Sequence, residues 1–365
     1  MDSNLSSEAN STAPGIPGVE RGSQTMESVF VIVQPVISWM LIGTGIVGIP
    51  ANILIVIVFC KMGVSSPFQI SCTGLAISDL LCVVASVMCG ATALGVFRHV
   101  VSEREDQDLN NIVAGLPQIV FSRITALLTA WISLERFLSV VYPMKVKFII
   151  TRRVTTVVIS AIFGCGCSLL FVVSVGYMNG FHGDQDSNGT TLNLELNEGL
   201  SLHGFRQFIR VSFGLVLPVL AWGTVVFCTL FLIVRLRQST KWKRAKTPIQ
   251  AGISSPSGGP NAGRHTEECK ESTQLPPKER RIINIVVVIA CVFLVSTLPM
   301  SAHLVAGVTL PEYSENGRIR HLVVMNGLAC VFISELNSCV NIIIYAVSGN
   351  QFRSVLLRMF GFSPR

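Results

Sequence analysis

The chain has 365 residues, of which 50% are hydrophobic and only 13% charged, with a formal net charge of +7; its mean hydropathy is +0.58. An ordinary soluble domain carries about 25% charged residues. The composition therefore argues against a soluble enzyme, a disordered protein and a nucleic-acid binder, and for a chain solvated by lipid. The positive charge lies in short stretches between apolar runs, as a membrane topology requires and a basic nucleic-acid face does not.

Residues 1–28 are polar and lack the apolar stretch of a cleavable signal peptide. Residues 1–35 are expected to form a glycosylated extracellular tail. A bilayer core takes about 20 apolar residues per helix. Seven such spans are predicted, at about 36–60, 69–96, 112–141, 154–177, 208–235, 282–308 and 321–346. Backbone polar groups in lipid must be bonded internally, so these are helices. The alternation of a barrel strand and the internal repeat of many transporters are both lacking. The predicted fold is an all-α membrane protein. A seven-transmembrane helix bundle over 36–346 is followed by a short amphipathic helix and cytoplasmic tail over 347–365.

Orientation follows from the basic residues. Lys61, Lys145, Lys147, Arg152, Arg153, the Arg235–Arg281 stretch and Arg353, Arg358 and Arg365 lie after odd-numbered spans, and Arg136 lies at the inner end of span 3. The positive-inside rule puts that side in the cytoplasm and the N-terminus outside, as an odd number of spans requires. The glycosylation sequons at Asn4, Asn10 and Asn188 all fall on the predicted outer side. Residues 236–280 form the long inner loop. It opens basic and continues as AGISSPSGGPNAG, which cannot bury a core. Most of it is expected to be disordered, with the helices of spans 5 and 6 extending into its ends. Thr247-Pro248 and Ser255-Pro256 are either kinase sites or part of a plain linker.

The eleven cysteines show no tight metal-ligand spacing. None lies in an outer segment, so no disulfide is expected. Cys165-Gly166-Cys167 reads as helix packing. There is no HExxH, GxSxG or phosphate-loop motif, so no enzyme and no cofactor are expected.

Several polar residues interrupt the spans. Asp79 is a carboxylate inside an apolar helix, which costs about 2.5–3.5 kcal/mol on insertion scales and marks either a functional site or a polar seam between helices. Its expected company is Asn52, Thr125, Asn337, Ser338 and Asn341. Gln118, Ser122, Thr125 and Thr129 recur at helical spacing along one face of span 3. Arg210, His303 and Glu335 lie in the outer halves of spans 5, 6 and 7. With Gln118 and Ser122 they suggest a pocket for a polar or charged ligand; for Glu335 the alternative is a pair with an arginine. Arg123 falls off the polar face. Pro218 and Pro299 remove backbone bonds and allow kinks in spans 5 and 6.

The motifs carry a resemblance. Span 1 holds Gly48-Ile49-Pro50-Ala51-Asn52. Span 2 reads Leu75-Ala76-Ile77-Ser78-Asp79-Leu80-Leu81. Span 3 ends Ser133-Leu134-Glu135-Arg136-Phe137, running on to Tyr142-Pro143. Span 7 ends Asn341-Ile342-Ile343-Ile344-Tyr345, followed by Phe352-Arg353. In this order and at these depths they resemble the rhodopsin-like (class A) G-protein-coupled receptors, over roughly residues 36–358. The resemblance implies a multi-pass plasma-membrane receptor that passes binding of an extracellular ligand to a heterotrimeric G protein, with arrestin and receptor kinases as further partners. It implies an allosteric sodium ion at Asp79 and a coupling switch of Glu135, Arg136, Phe137, Glu279 and Tyr345. In that switch Arg136 is held by acids, Glu279 supplying the second, until a ligand releases it; an interfacial cation is the alternative.

The departures are as specific. The residues that would carry the family's outer disulfide are missing together: Asn111 stands at the span 3 position, and no cysteine lies between Tyr177 and Arg210. The span 6 signature is Phe293-x-x-Ser296-Thr297-x-Pro299, with Thr297 where the family has tryptophan; the span 7 proline is Ile342, and Val226 replaces a span 5 tyrosine. Amine receptors carry an aspartate where this chain has Gln118, and opsins a lysine where it has Glu335, so neither ligand class is expected. The stretch around Glu135–Val146 looks like invertebrate peptide receptors and is similar to molluscan-type chemosensory receptors. The ligand is then a peptide or a chemosensory small molecule. A non-signalling decoy receptor and a transporter remain as alternatives.

Overall fold

Ser66 sets where the second span begins. Its hydroxyl accepts from the Gln69 backbone, the Gln69 side chain accepts from the Ser66 backbone, and Pro67 opens the helix; this reciprocal cap satisfies donors that a helix start leaves orphaned. The computed structural model describes residues 17–96, 111–181, 211–250, 277–310, 312–313 and 319–362. In chain order the main helices are α1 (Pro17–Lys61), α2 (Pro67–Ala93), α3 (Leu116–Val141), α4 (Arg152–Phe181), α5 (Leu217–Gln250), α6 (Pro277–Thr309), α7 (Arg320–Ser348) and α8 (Asn350–Met359). A short helical turn, Val146–Ile149, joins α3 to α4.

Seven of these contain stretches long and apolar enough to cross a bilayer: Glu27–Lys61, Pro67–Ala93, Val113–Val141, Arg152–Val175, Leu217–Gln238, Glu279–Gly307 and Arg320–Ser348. The fold is a seven-transmembrane bundle, with no strand among the described residues. One boundary differs from expectation and another agrees with it. The first helix starts at Pro17, well inside the tail drawn to residue 35, because the Glu27–Lys61 stretch is already apolar enough to span. α5 runs on to Gln250 and α6 starts at Pro277, so the helices reach into the ends of the long loop; residues 251–276 lie outside the described ones.

α3 is the centre, packing against α2, α4, α5 and α6, while α1 packs on α2 and α7. The α1 seam uses glycine. A side chain at Gly45 would collide with Val87, and one at Gly48 with Cys339; without a hydrophobic drive between helices in lipid, such close approach supplies the packing. α4 is peripheral, with almost none of its apolar stretch buried. Cys165 and Cys167 are exposed on it, which corrects the expectation that they pack: the packing residue is Gly166, where a Cβ would stand 2.7 Å from Ile124 Cδ1.

The main apolar core lies towards the Arg136 end of the bundle and includes Ile55, Leu75, Leu128, Ile132, Ile283 and Ile289. A smaller cluster of Ala126, Ala130, Ala221, Val225, Ala290 and Phe293 joins α3, α5 and α6. Prolines shape these last two helices. A wide π-type turn, Ser212–Val216, precedes Pro218 in α5, and Pro299 interrupts α6. Each proline leaves a carbonyl one turn earlier without its N–H partner.

Candidate functional site

Asp79 sits fully buried where α2, α3 and α7 meet. Its Oδ1 accepts from the Thr125 hydroxyl at 3.1 Å and the Ser338 hydroxyl at 3.0 Å; Oδ2 accepts from the Asn341 amide at 2.6 Å. Thr125 is itself 2.7 Å from the Ser78 hydroxyl. Asn52 joins indirectly, donating to the backbone carbonyls of Gly48 and Ser338 at 3.0 Å each. Its Oδ1 is buried with no partner among the described residues. Asn337 is buried beside this cluster but shows no bond to the carboxylate. Three helices thus converge on one anion through hydrogen bonds, the arrangement that makes a buried charge tolerable.

At the end of α3, Glu135 pairs with its neighbour Arg136. The Glu135 side chain is 1% exposed and that of Arg136 14% exposed. Ser71 of α2 donates to Glu135 Oε2 at 2.9 Å, and the Arg136 guanidinium lies 5.0 Å above the Phe68 ring. Glu279 does not complete the predicted second contact. It is exposed in the first turn of α6, and Arg136 finds its carboxylate one residue away instead. Arg281, two residues on, bonds the Asn350 amide oxygen at 2.7 Å when that amide is turned towards it, which ties the start of α6 to the start of α8.

The other switch candidates pack against aromatic rings. Phe137 lies tilted against Phe227 and edge-on to Phe231 of α5, with ring centroids 5.4 and 4.9 Å away. Tyr345 is 2% exposed, locked edge-on against Phe59 at 5.4 Å and tilted against Phe352 at 5.5 Å. In this arrangement the Tyr345 side chain is closed off from the surface.

In the half away from Arg136, Gln118 and Ser122 are buried. Glu335 is fully buried, and neither carboxylate oxygen has a hydrogen-bond partner among the described residues. The alternative reading, a pair between Glu335 and an arginine, is not formed among the described residues. The Thr44 hydroxyl lies beside it but donates to the Met40 and Leu41 carbonyls. Arg123 is also buried, with its Nε unpartnered. His303 is already engaged: Nδ1 lies 2.8 Å from the Tyr313 hydroxyl and 3.3 Å from Asn326 Nδ2, and Asn326 donates to Tyr313 at 2.6 Å. That triad clasps the chain after α6 onto α7. Arg210 and the sequons at Asn4, Asn10 and Asn188 lie outside the described residues.

Sequence reasoning missed Ser71, Phe68, Trp222, Tyr313 and Asn326. For Ser71 a signal existed: it is seven residues from Ser78, hence on the same helical face. Trp222 left none. Its indole N–H donates to the Thr297 hydroxyl of α6 at 2.9 Å, a contact only the packing of α5 on α6 creates.

A family model described as 7 transmembrane receptor (rhodopsin family) matches residues 51–345. No curated protein matches the chain.

Proposed function

Because the chain belongs to the rhodopsin family of seven-transmembrane receptors, we propose that it passes the binding of an extracellular ligand to a heterotrimeric G protein at the Arg136 end of the bundle. Receptors of this family are multi-pass membrane proteins that signal rather than catalyse. The finer reading places this one in the plasma membrane, with its N-terminus and the Gln118 half outside. The bias of basic residues towards the Arg136 side supports that orientation.

The observation that carries the reading is the Glu135–Arg136 pair, which Ser71 and Phe68 hold nearly closed at the end of the central helix. An arginine paired at a dry edge has two arrangements, paired and released, and a ligand that favours the second shifts the balance. Release would accompany a parting of the ends of α5 and α6, for which Pro218 and Pro299 provide the bends. Tyr345 would leave its aromatic pocket in the same step.

The buried, unpaired polar atoms of Gln118 and Glu335 suit a ligand with hydrogen-bonding groups at both ends, either a peptide or a chemosensory small molecule. His303 shapes that half through its clasp. At Asp79 the carboxylate, the Thr125 and Ser338 hydroxyls and the orphaned Asn52 Oδ1 are all hard oxygen donors. Such a set fits a sodium ion, which would neutralise the buried charge when bound. Arrestin and receptor kinases would engage the loop between α5 and α6.

The test is ligand-independent nucleotide exchange across a panel of Gα subunits, at matched surface expression. Glu135→Gln should raise it and Arg136→Ala should remove it. Glu279→Ala should change it little, since Glu279 is exposed and away from the pair. If all forms reach the surface and stay silent, the reading fails, and a decoy receptor or a transporter takes its place.

A further inference from the structure

We propose that Trp222 is the positioning residue that couples α5 to α6 at their weakened middles and holds the arrangement in which Arg136 stays paired. The hydrogen bond from the Trp222 indole to Thr297 Oγ1 spans 2.9 Å. Thr297 is 6% exposed, and its hydroxyl donates in turn to the Phe293 carbonyl at 2.7 Å. The hydroxyl therefore accepts from one helix and donates within the other, which fixes its rotamer. A bond of this kind is stronger in a dry interior than in water.

Its position gives it leverage. Pro218 lies four residues, about one turn, before Trp222, and Pro299 lies two residues after Thr297. Each proline deletes a backbone bond, so both helices bend most easily next to this contact. The wide turn Ser212–Val216 adds further freedom on the α5 side. Most of the surroundings are small: the indole packs on a cluster in which Ala126, Ala130, Ala221 and Ala290 accompany Val225 and Phe293. The four alanines make room for the ring without interlocking with it, and the polar contact adds direction to the α5–α6 packing. Position 297 has no aromatic side chain of its own; α5 supplies the ring from across the interface.

This inference rests on the reading in which the ends of α5 and α6 part to free Arg136. The experiment therefore reads the helices and the signalling separately, in full-length receptor purified in detergent. Trp222→Phe keeps a ring and removes the N–H. Thr297→Val keeps the shape and removes the hydroxyl. Thr297→Ser keeps the hydroxyl and serves as the rescue. The first readout is amide hydrogen exchange over residues 279–289 of α6. Trp222→Phe and Thr297→Val should each accelerate it about five-fold, the size of one net neutral hydrogen bond. The double variant should match either single one, and Thr297→Ser should match wild type. Wild-type exchange in both single variants, or effects that multiply in the double variant, would overturn the inference. The second readout is ligand-independent nucleotide exchange, which a purely structural role would not raise and the coupling role should. Faster hydrogen exchange with every Gα silent, wild type included, would uphold the coupling and count against the G-protein reading. Faster hydrogen exchange with nucleotide exchange active but unchanged by the variants would refute the positioning role.

Discussion

The Asn341 amide donates to Asp79 Oδ2 at 2.6 Å, joining residues 262 positions apart in the chain. This bond adds a third donor to a carboxylate buried among apolar helices, beside the Thr125 and Ser338 hydroxyls, and makes Asp79 a pin between α2 and α7.

Exchanging the partners tests this set of bonds. Asp79→Asn should turn an amide donor towards the Asn341 donor and lower the thermal midpoint, as expected when one buried polar group loses its partner at a cost of about 1–3 kcal/mol. Adding Asn341→Asp should recover most of the loss, because the pair is then reversed rather than broken. Wild type should be stabilised by sodium chloride over potassium chloride, since an ion that binds only the folded state raises stability, and Asp79→Asn should lose that difference. Equal midpoints in the two salts for wild type would count against a sodium site.

Ser71 holds Glu135 from α2. Removing that hydroxyl with Ser71→Ala costs Glu135 one charge-assisted bond, worth about 1.5–3 kcal/mol, and should raise ligand-independent signalling above wild type while leaving surface expression intact. A lower basal signal in Ser71→Ala would show that the serine supports the released state instead.

Glu335 is buried with both oxygens unpartnered among the described residues, and burying an unpaired carboxylate is costly. Glu335→Leu should therefore raise the thermal midpoint of ligand-free receptor, by roughly 2–4 °C for each kcal/mol recovered. The same substitution should weaken the response to a ligand once one is found, by removing its polar anchor. A large fall in the midpoint would mean that the carboxylate is satisfied and holds α1 to α7.

Two glycines should behave oppositely. A Cβ at Gly90 would come 2.8 Å from the Ser38 backbone carbonyl, whereas one at Gly43 meets nothing within 4 Å. Gly90→Ala must push α1 off α2 and should destabilise the receptor by about 1–3 kcal/mol. Gly43→Ala should be neutral or stabilising by up to about 1 kcal/mol, since alanine is the better helix former. Thermal unfolding of the two variants side by side checks both.

Hydropathy alone located the seven spans, because lipid forces every spanning backbone to be helical whatever the neighbours do. Asp79 and most of its company were legible for a related reason: a carboxylate in an apolar run stands out, and its partners are the polar residues at the same depth. Arg136 could be read from its place beside Glu135 at a span end. The first helix was drawn too short because a polar start is no barrier to helix formation once the following stretch is apolar.

Which groups pair was not legible, since pairing depends on how helices rotate and cross. Spacing along one helix says which residues share a face but not what that face meets. Glu135 holds Arg136 while Glu279 stays exposed; His303 is taken by Tyr313 and Asn326; Glu335 has no arginine among the described residues. The Trp222–Thr297 bond shows the limit most plainly. Each residue looks ordinary in its own span, and only the packing of α5 on α6 brings the indole N–H within 2.9 Å of the hydroxyl. The sequence determined the helices, their depth and their chemistry one by one; tertiary packing, through crossing angles and close approaches that no single span encodes, decided which of those groups are partners.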